Sequence, residues 1–173
     1  ALVQAPVNKR KTAFISAAVR RSAIDFVLPL IPIDLKFVTA PKYYDAQTRF
    51  VWTPSARHRV SAFGFLSIDK LGLITEQLDP NEPDFTGQFD FSTEFYRLIG
   101  SWAYAREDLN NRLTLSGGTT KFGFNLGATN SLQTVTDQIE LRNDTGVKLS
   151  DTVTLRFGAN GRLDYRDLFA TLP

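Results

Sequence analysis

The chain has 173 residues, 43% of them hydrophobic and 12% aromatic, with 14 Phe, 0 Cys and 0 Met. Without Cys there is no disulfide scaffold, thiolate metal site or cysteine nucleophile, and without Met a processed chain or a piece of a longer one is expected. Lys and Arg number 20 against 18 Asp and Glu, and because the two signs are interspersed no nucleic-acid partner is expected, despite a pI near 9.0.

The one dense basic run, Asn8-Lys9-Arg10-Lys11, reads as a solvated turn. The most apolar stretch, Ala23 to Leu35, is broken by Asp25, Pro29, Pro32 and Asp34. A spanning helix needs about 20 mostly apolar residues. Ala1-Leu2-Val3-Gln4 lacks the basic leader and apolar core of a signal peptide. A membrane role would therefore come from strands.

The hydrophobic pattern has a period of two along the chain. Ala1 to Pro6 reads as the tail of a strand. Next, Ala13, Ile15, Ala17 and Val19 alternate with Ser16, Ala18 and Arg20. Tyr44, Ala46, Thr48, Phe50 and Trp52 share one face of a strand whose other face carries Tyr43, Asp45, Gln47, Arg49 and Val51. Val60, Ala62, Gly64, Leu66 and Ile68 follow, although Phe63 and Phe65 fall on the wet side. Then come Tyr96, Leu98, Gly100, Trp102 and Tyr104, and after them Leu113, Leu115 and Gly117. Val135, Ile139 and Leu141 face away from Gln138, Glu140 and Arg142, with Asp137 spoiling the apolar side. Last, Val153, Leu155, Phe157 and Ala159 alternate with Thr152, Thr154, Arg156, Gly158 and Asn160. No long segment has a helical period.

The expected connections alternate in length. Short ones fall at Pro6 to Lys11, Thr53 to Arg57, Glu107 to Asn111 and Leu149 to Asp151. Longer ones fall at Asp25 to Lys42, Asp69 to Gln88 and Asn125 to Ser131, with another starting near Leu163. Turn formers such as Pro54-Ser55, Asn110-Asn111 and Asn130-Ser131 fill them. Outer-membrane barrels alternate in this way, with short periplasmic turns and longer outer loops. Phe50, Trp52, Trp102 and Tyr104 lie just before short turns and form a candidate aromatic girdle. The fold class expected is all-β: seven to eight antiparallel strands of a larger meander barrel, with residues 1–173 forming part of one outer-membrane β-barrel domain. The first strand is expected to be truncated at Ala1, and Leu168 to Pro173 reads as loop, so an internal stretch is preferred to a closed eight-stranded barrel.

Phe14-Ile15-Ser16-Ala17-Ala18-Val19-Arg20-Arg21-Ser22-Ala23-Ile24-Asp25 resembles an early barrel strand of TonB-dependent transporters. Ala40-Pro41-Lys42-Tyr43-Tyr44-Asp45-Ala46-Gln47 follows, and then a strand-turn-strand ending Phe65-Leu66-Ser67-Ile68-Asp69-Lys70. That order is similar to transporter-like proteins of myxobacteria and related Gram-negative bacteria, with Ala5-Pro6 as a short periplasmic turn. The resemblance implies a barrel of about 22 strands with a plugged lumen. It also implies a plug domain and a contact with a TonB-type energy-coupling protein, neither of which is visible in this chain.

No catalytic constellation, metal site or cofactor motif emerges, and an enzyme is not expected. His58 is the only histidine and reads as solvent-facing or interfacial. Gly117-Gly118 reads as a bulge, or as close packing of a plug against the wall. Asp79, Asn81, Glu82 and Asp84 make an acidic loop whose composition suits calcium, but two prolines interrupt it and it lacks EF-hand spacing. Arg20, Arg49, Arg97, Arg112, Arg142 and Arg156 are candidate lumen-facing residues, because a charge on the lipid face costs about 2–4 kcal/mol at mid-membrane. Pairing with Asp45, Asp69, Glu94 and Glu140 across strands is their expected role; guiding an anionic substrate or anchoring a plug is the sharper one.

The leading expectation is the wall of an outer-membrane transporter for a bulky nutrient such as an iron chelate. Its partners would be outer-membrane lipid, the remainder of the barrel, the plug and the coupling protein. The alternatives are a structural barrel within a larger envelope complex, or a soluble β-sandwich binding module.

Overall fold

In a computed structural model, residues 1–23, 39–75, 87–127 and 130–172 are described, with backbone alone at 39–41, 73–75 and 87–88. They form eight strands: β1 (Leu2–Pro6), β2 (Ala13–Arg21), β3 (Thr39–Ser55), β4 (His58–Thr75), β5 (Gly87–Ala105), β6 (Leu109–Leu126), β7 (Asn130–Lys148) and β8 (Thr154–Thr171). All pair antiparallel with their chain neighbours in one open meander sheet, with β1 and β8 at its edges. The all-β meander expected from the alternation is what forms.

Strands β3 to β8 are 17 to 19 residues long, about three times the usual five or six of soluble strands. Such lengths hold because each ladder is continuous. Between β5 and β6 the pairing runs unbroken from Phe89↔Leu126 to Ala105↔Asn110. The register shifts fall at the two ends of β3, between Thr39 and Lys42 and between Trp52 and Ser55. Pro54, which has no N–H for the ladder, sits inside the second.

The close connections are built locally. In the β1–β2 turn Asn8 Oδ1 accepts the Thr12 N–H at 2.9 Å, and Lys11 adopts a φ of 53°. The β3–β4 turn is 56–57, so Pro54-Ser55 belongs to the strand and not to the turn. In the β7–β8 turn Ser150 Oγ accepts the Val153 N–H at 3.1 Å, and Lys148 pairs with Asp151 at 2.6 Å.

Several expectations about boundaries need correcting: Asn110-Asn111 lies in β6 and not in a turn, because it pairs with Ala105 and Tyr104, and the Asp25 to Lys42 and Asp69 to Gln88 connections give up 39–42 to β3, 69–75 to β4 and 87–88 to β5. The Asn125 to Ser131 loop gives up 125–126 to β6 and 130–131 to β7, because the ladder continues to Leu126↔Asn130, and Gly127 takes a φ of 64° that glycine adopts without strain. Asn130-Ser131 therefore opens a strand. No long connection starts near Leu163, and Leu168 to Thr171 is strand and not loop, because these residues pair with Ser131 to Thr134. The strict long–short alternation therefore fails between β6 and β7. The Asp79, Asn81, Glu82 and Asp84 loop lies outside the described residues.

Among the described residues the sheet has no second layer. Ala13 is the one buried hydrophobic residue among the described residues, and the accessible surface is 12789 Å². A compact monomer of this mass exposes about 8,500 Å². A β-sandwich buries one face of each of two sheets against the other; the described residues form a single sheet.

The short-turn ends of the hairpins are staggered. Ala13 lies on the rung of Trp102, His58 on that of Tyr104, and the β7–β8 end lies further out again. The drift from β2 to β8 is roughly one residue per strand, about 3.3 Å along for every 4.8 Å across. A line through the turns therefore meets the strands at a slant of roughly 30–35° from perpendicular, near the 35–45° tilt of membrane barrels.

Candidate functional site: two faces of one sheet

Directly paired residues share a face, so the register sorts every side chain. One face carries the rungs Ala17-Thr48-Gly64-Leu98-Gly117-Ile139-Leu163 and Ile15-Phe50-Ala62-Gly100-Leu115-Leu141-Gly161. This is the apolar face. Among the described residues it holds no Asp, Glu, Lys or Arg between the rung of Leu98 and that of Tyr104. Its large side chains stay exposed: Leu98 at 66%, Leu115 at 52% and Leu163 at 74%. Water would penalise such a surface by about 25 cal/mol per Å².

Aromatic groups border this band. At the turn end Trp52, Val60 and Trp102 share a rung, and Tyr104 lies on the next rung outward on the same face. His58, paired with Tyr104, stacks on Trp102 at 5.7 Å and accepts the indole N–H through Nδ1 at 3.2 Å. The histidine is thus a member of the aromatic row. Phe50 lies on the same face, two residues further in. At the other end stand Tyr44, Tyr96 and Tyr165, a second row that the reading of strand ends missed. The charge-free span from Leu98 to Tyr104 is six residue steps on β5, about 20 Å along the strand and about 15 Å of height at such a tilt; beyond it the rung of Tyr96 carries Asp137 and that of Glu94 carries Arg21, Lys121 and Asp167.

Polar groups on the apolar face satisfy one another. Asn111 donates to Asn143 Oδ1 at 3.1 Å and to Thr145 Oγ1 at 2.7 Å, and Asn143 donates back to Asn111 Oδ1 at 3.3 Å. Thr119 donates to Asp137, the residue that had broken the pattern of its strand.

The polar face carries charge along its whole length. The candidates Arg20, Arg49, Arg97, Arg112, Arg142 and Arg156 all lie on it, joined by Arg59, Arg162 and Arg166. Arg20 pairs with Asp45 through Nε at 2.7 Å, and Asp45 also accepts from Ser67 at 2.9 Å. Arg97 donates to Gln138 at 2.8 Å. Arg142 pairs with Asp144, and Arg162 with Asp164, each at short range along its own strand. Cross-strand pairing with Asp45 therefore forms, whereas Glu94 lies on the apolar face and pairs with Lys121 at 3.7 Å. Asp69 and Glu140 share the arginine face, but Asp69's hydrogen bond comes from Ser67. Arg49, Arg59 and Arg156 have no ion-pair partner among the described residues, whereas Arg112 stands opposite Asp144 and attracts its carboxylate together with Arg142; all four stand in the half nearer the short turns.

Phe63 and Phe65, which had seemed misplaced on the wet side, stack at 6.4 Å, and Phe65 meets Phe95 at 5.8 Å on the polar face. The Arg97 guanidinium lies 5.0 Å from the Phe95 ring centre. The cluster is legible only with the register, because Phe95 belongs to another strand.

No bulge forms at Gly117-Gly118, where the register continues as Leu98↔Gly117 and Arg97↔Gly118. Gly118 instead permits close approach: a Cβ there would lie 2.0 Å from the Tyr96 carbonyl oxygen.

Compared with known protein families, curated proteins and solved structures, the chain matches none.

Proposed function

We propose that the sheet is a wall segment of a bacterial outer-membrane β-barrel, in a TonB-dependent transporter that imports a bulky nutrient such as an iron chelate. The observation that carries the wall reading is the charge-free apolar band between two aromatic rows, backed by a face of arginines and carboxylates. Lipid satisfies such a band, and an aqueous lumen satisfies the opposite face. The slant of the turns and the strand lengths fit the same reading. Transport, the plug and the coupling protein rest on the resemblance of the early strands. In this reading Arg49, Arg59 and Arg156 give the inner half of the lumen a positive field toward an anionic solute or an acidic plug surface.

The native chain has no Cys, so single cysteines report cleanly on each face. Leu98→Cys and Leu115→Cys should resist a water-soluble maleimide in membranes, while Arg97→Cys and Thr114→Cys should react. Equal labelling of both faces removes the wall reading. Uptake of a radiolabelled ferric chelate, with and without the coupling protein, then tests transport; a membrane-inserted barrel with no coupled uptake favours the scaffold role.

A further inference from the structure

On the apolar face, Lys42 of β3 stands directly opposite Lys70 of β4. Like charges placed so destabilise an antiparallel pair. Neither ammonium has an ion-pair partner among the described residues. Their rung continues as Ser92, Gly123 and Gln133, with no carboxylate. The nearest carboxylate inward, Glu94, is taken by Lys121 and by the Tyr96 hydroxyl. Asp90 lies on the next rung outward on β5, opposite Gly72. Arg21, on the rung of Tyr44, adds positive charge beside them, its guanidinium 5.6 Å from the Tyr44 ring centre.

Below the lysines on the same two strands, the pairs run Tyr44-Ile68, Ala46-Leu66 and Thr48-Gly64. From Ala46-Leu66 inward a groove of about 550 Å³ opens on the apolar face, floored by small residues such as Ala17, Ala46, Gly64 and Gly117 and walled by Leu66, Tyr96 and Leu98. A pair of cations with no ion-pair partner among the described residues, above an apolar groove, matches an amphiphile with an anionic head and a hydrocarbon tail. We infer that this face binds a membrane lipid with a phosphorylated headgroup, its phosphate between Lys42 and Lys70 and an acyl chain in the groove over Gly64. The inference rests on the wall reading, which puts this face in lipid and the lysines at the headgroup level beside the longer connections.

The test uses the full chain purified in detergent and titrated with phosphatidylglycerol, with phosphatidylcholine as the zwitterionic comparison, and bound lipid read by native mass spectrometry. Each lysine near an anionic headgroup contributes about 1 kcal/mol, so Lys42→Gln with Lys70→Gln should raise the Kd for phosphatidylglycerol about 30-fold. The same double variant should unfold at a higher temperature in lipid-free detergent, because a like-charge pair is gone. Misfolding would lower both, so the opposite signs separate lost binding from lost structure. Gly64→Leu, which fills the groove, should also weaken binding, whereas Gly161→Leu, on the same face with nothing within 4 Å of an added Cβ, should not. Unchanged binding by the double variant or by Gly64→Leu overturns the site. Labelling of Leu98→Cys in membranes keeps the two readings apart. If that cysteine reacts from water, the wall reading fails; if it is protected while the variants bind lipid as before, the lipid site alone fails.

Discussion

The even and odd positions of β5 meet charge in opposite ways. On its apolar side Leu98, Gly100, Trp102 and Tyr104 run without an ionisable neighbour on any paired strand except His58, and charge returns at Glu94, where the strand leaves the band. On its polar side Arg97 sits among Gln47, Phe65 and Gln138, and the next two rungs hold Arg49, Glu140, Arg162 and Arg142. One backbone serves both, and side chains one residue apart belong to different solvents. A slip of one residue in any ladder would exchange the two environments, and so the register is strongly specified.

That contrast is best broken by moving a charge across it. Leu115→Arg places a guanidinium in the middle of the apolar band and should cost about 2–4 kcal/mol of folding stability in lipid vesicles. Arg97→Leu makes the reverse change and should cost less, because it gives up only the hydrogen bond to Gln138 and the contact with Phe95. Urea titrations of both in the same vesicles check the ordering, and equal costs would erase the distinction between the faces.

The backbone distinguishes two glycines in the same way. Gly118→Val would force a Cβ against the Tyr96 carbonyl and the Arg97 Cα, and overpacking of this kind costs about 1–3 kcal/mol. Gly161→Ala meets nothing within 4 Å and should stay within about 0.5 kcal/mol of the parent. Thermal unfolding of the two variants side by side measures the gap.

Smaller effects sharpen the two ends of the band. The His58–Trp102 stack should show a coupling of about 1 kcal/mol in a double-mutant cycle with alanine at each position. No coupling would make the histidine a bystander in the aromatic row. Asp45→Asn should cost at most about 1 kcal/mol, because its partner Arg20 is 71% exposed and well screened; raising the salt should shrink the difference between Asp45→Asn and the parent.

Alternation made the faces readable, because a period of two follows from strand geometry alone. Each of the six arginines singled out lies with the others on one face, and Phe50, Trp52, Trp102 and Tyr104 lie together on the other. Boundaries were less readable where local signals competed with the ladder. Asn130-Ser131 has the chemistry of a turn, yet Leu126↔Asn130 pairing draws it into β7. Leu168-Phe169-Ala170 is apolar on both faces, so it has no alternation, and pairing with Leu132, Gln133 and Thr134 is what makes it strand. Tyr44, Tyr96 and Tyr165 were visible one by one, but their alignment into a row needs the register between strands that are far apart in sequence.

The sequence by itself determined the class of structure, the two-sidedness of each strand and the absence of a thiol site, because these follow from residue type and spacing. Only the tertiary structure decided which side chains meet. The opposition of Lys42 to Lys70, the groove over Gly64, the Phe63–Phe65–Phe95 cluster and the slant of the turns all come from register, which is fixed by long-range hydrogen bonds between strands and not by any local run of residues.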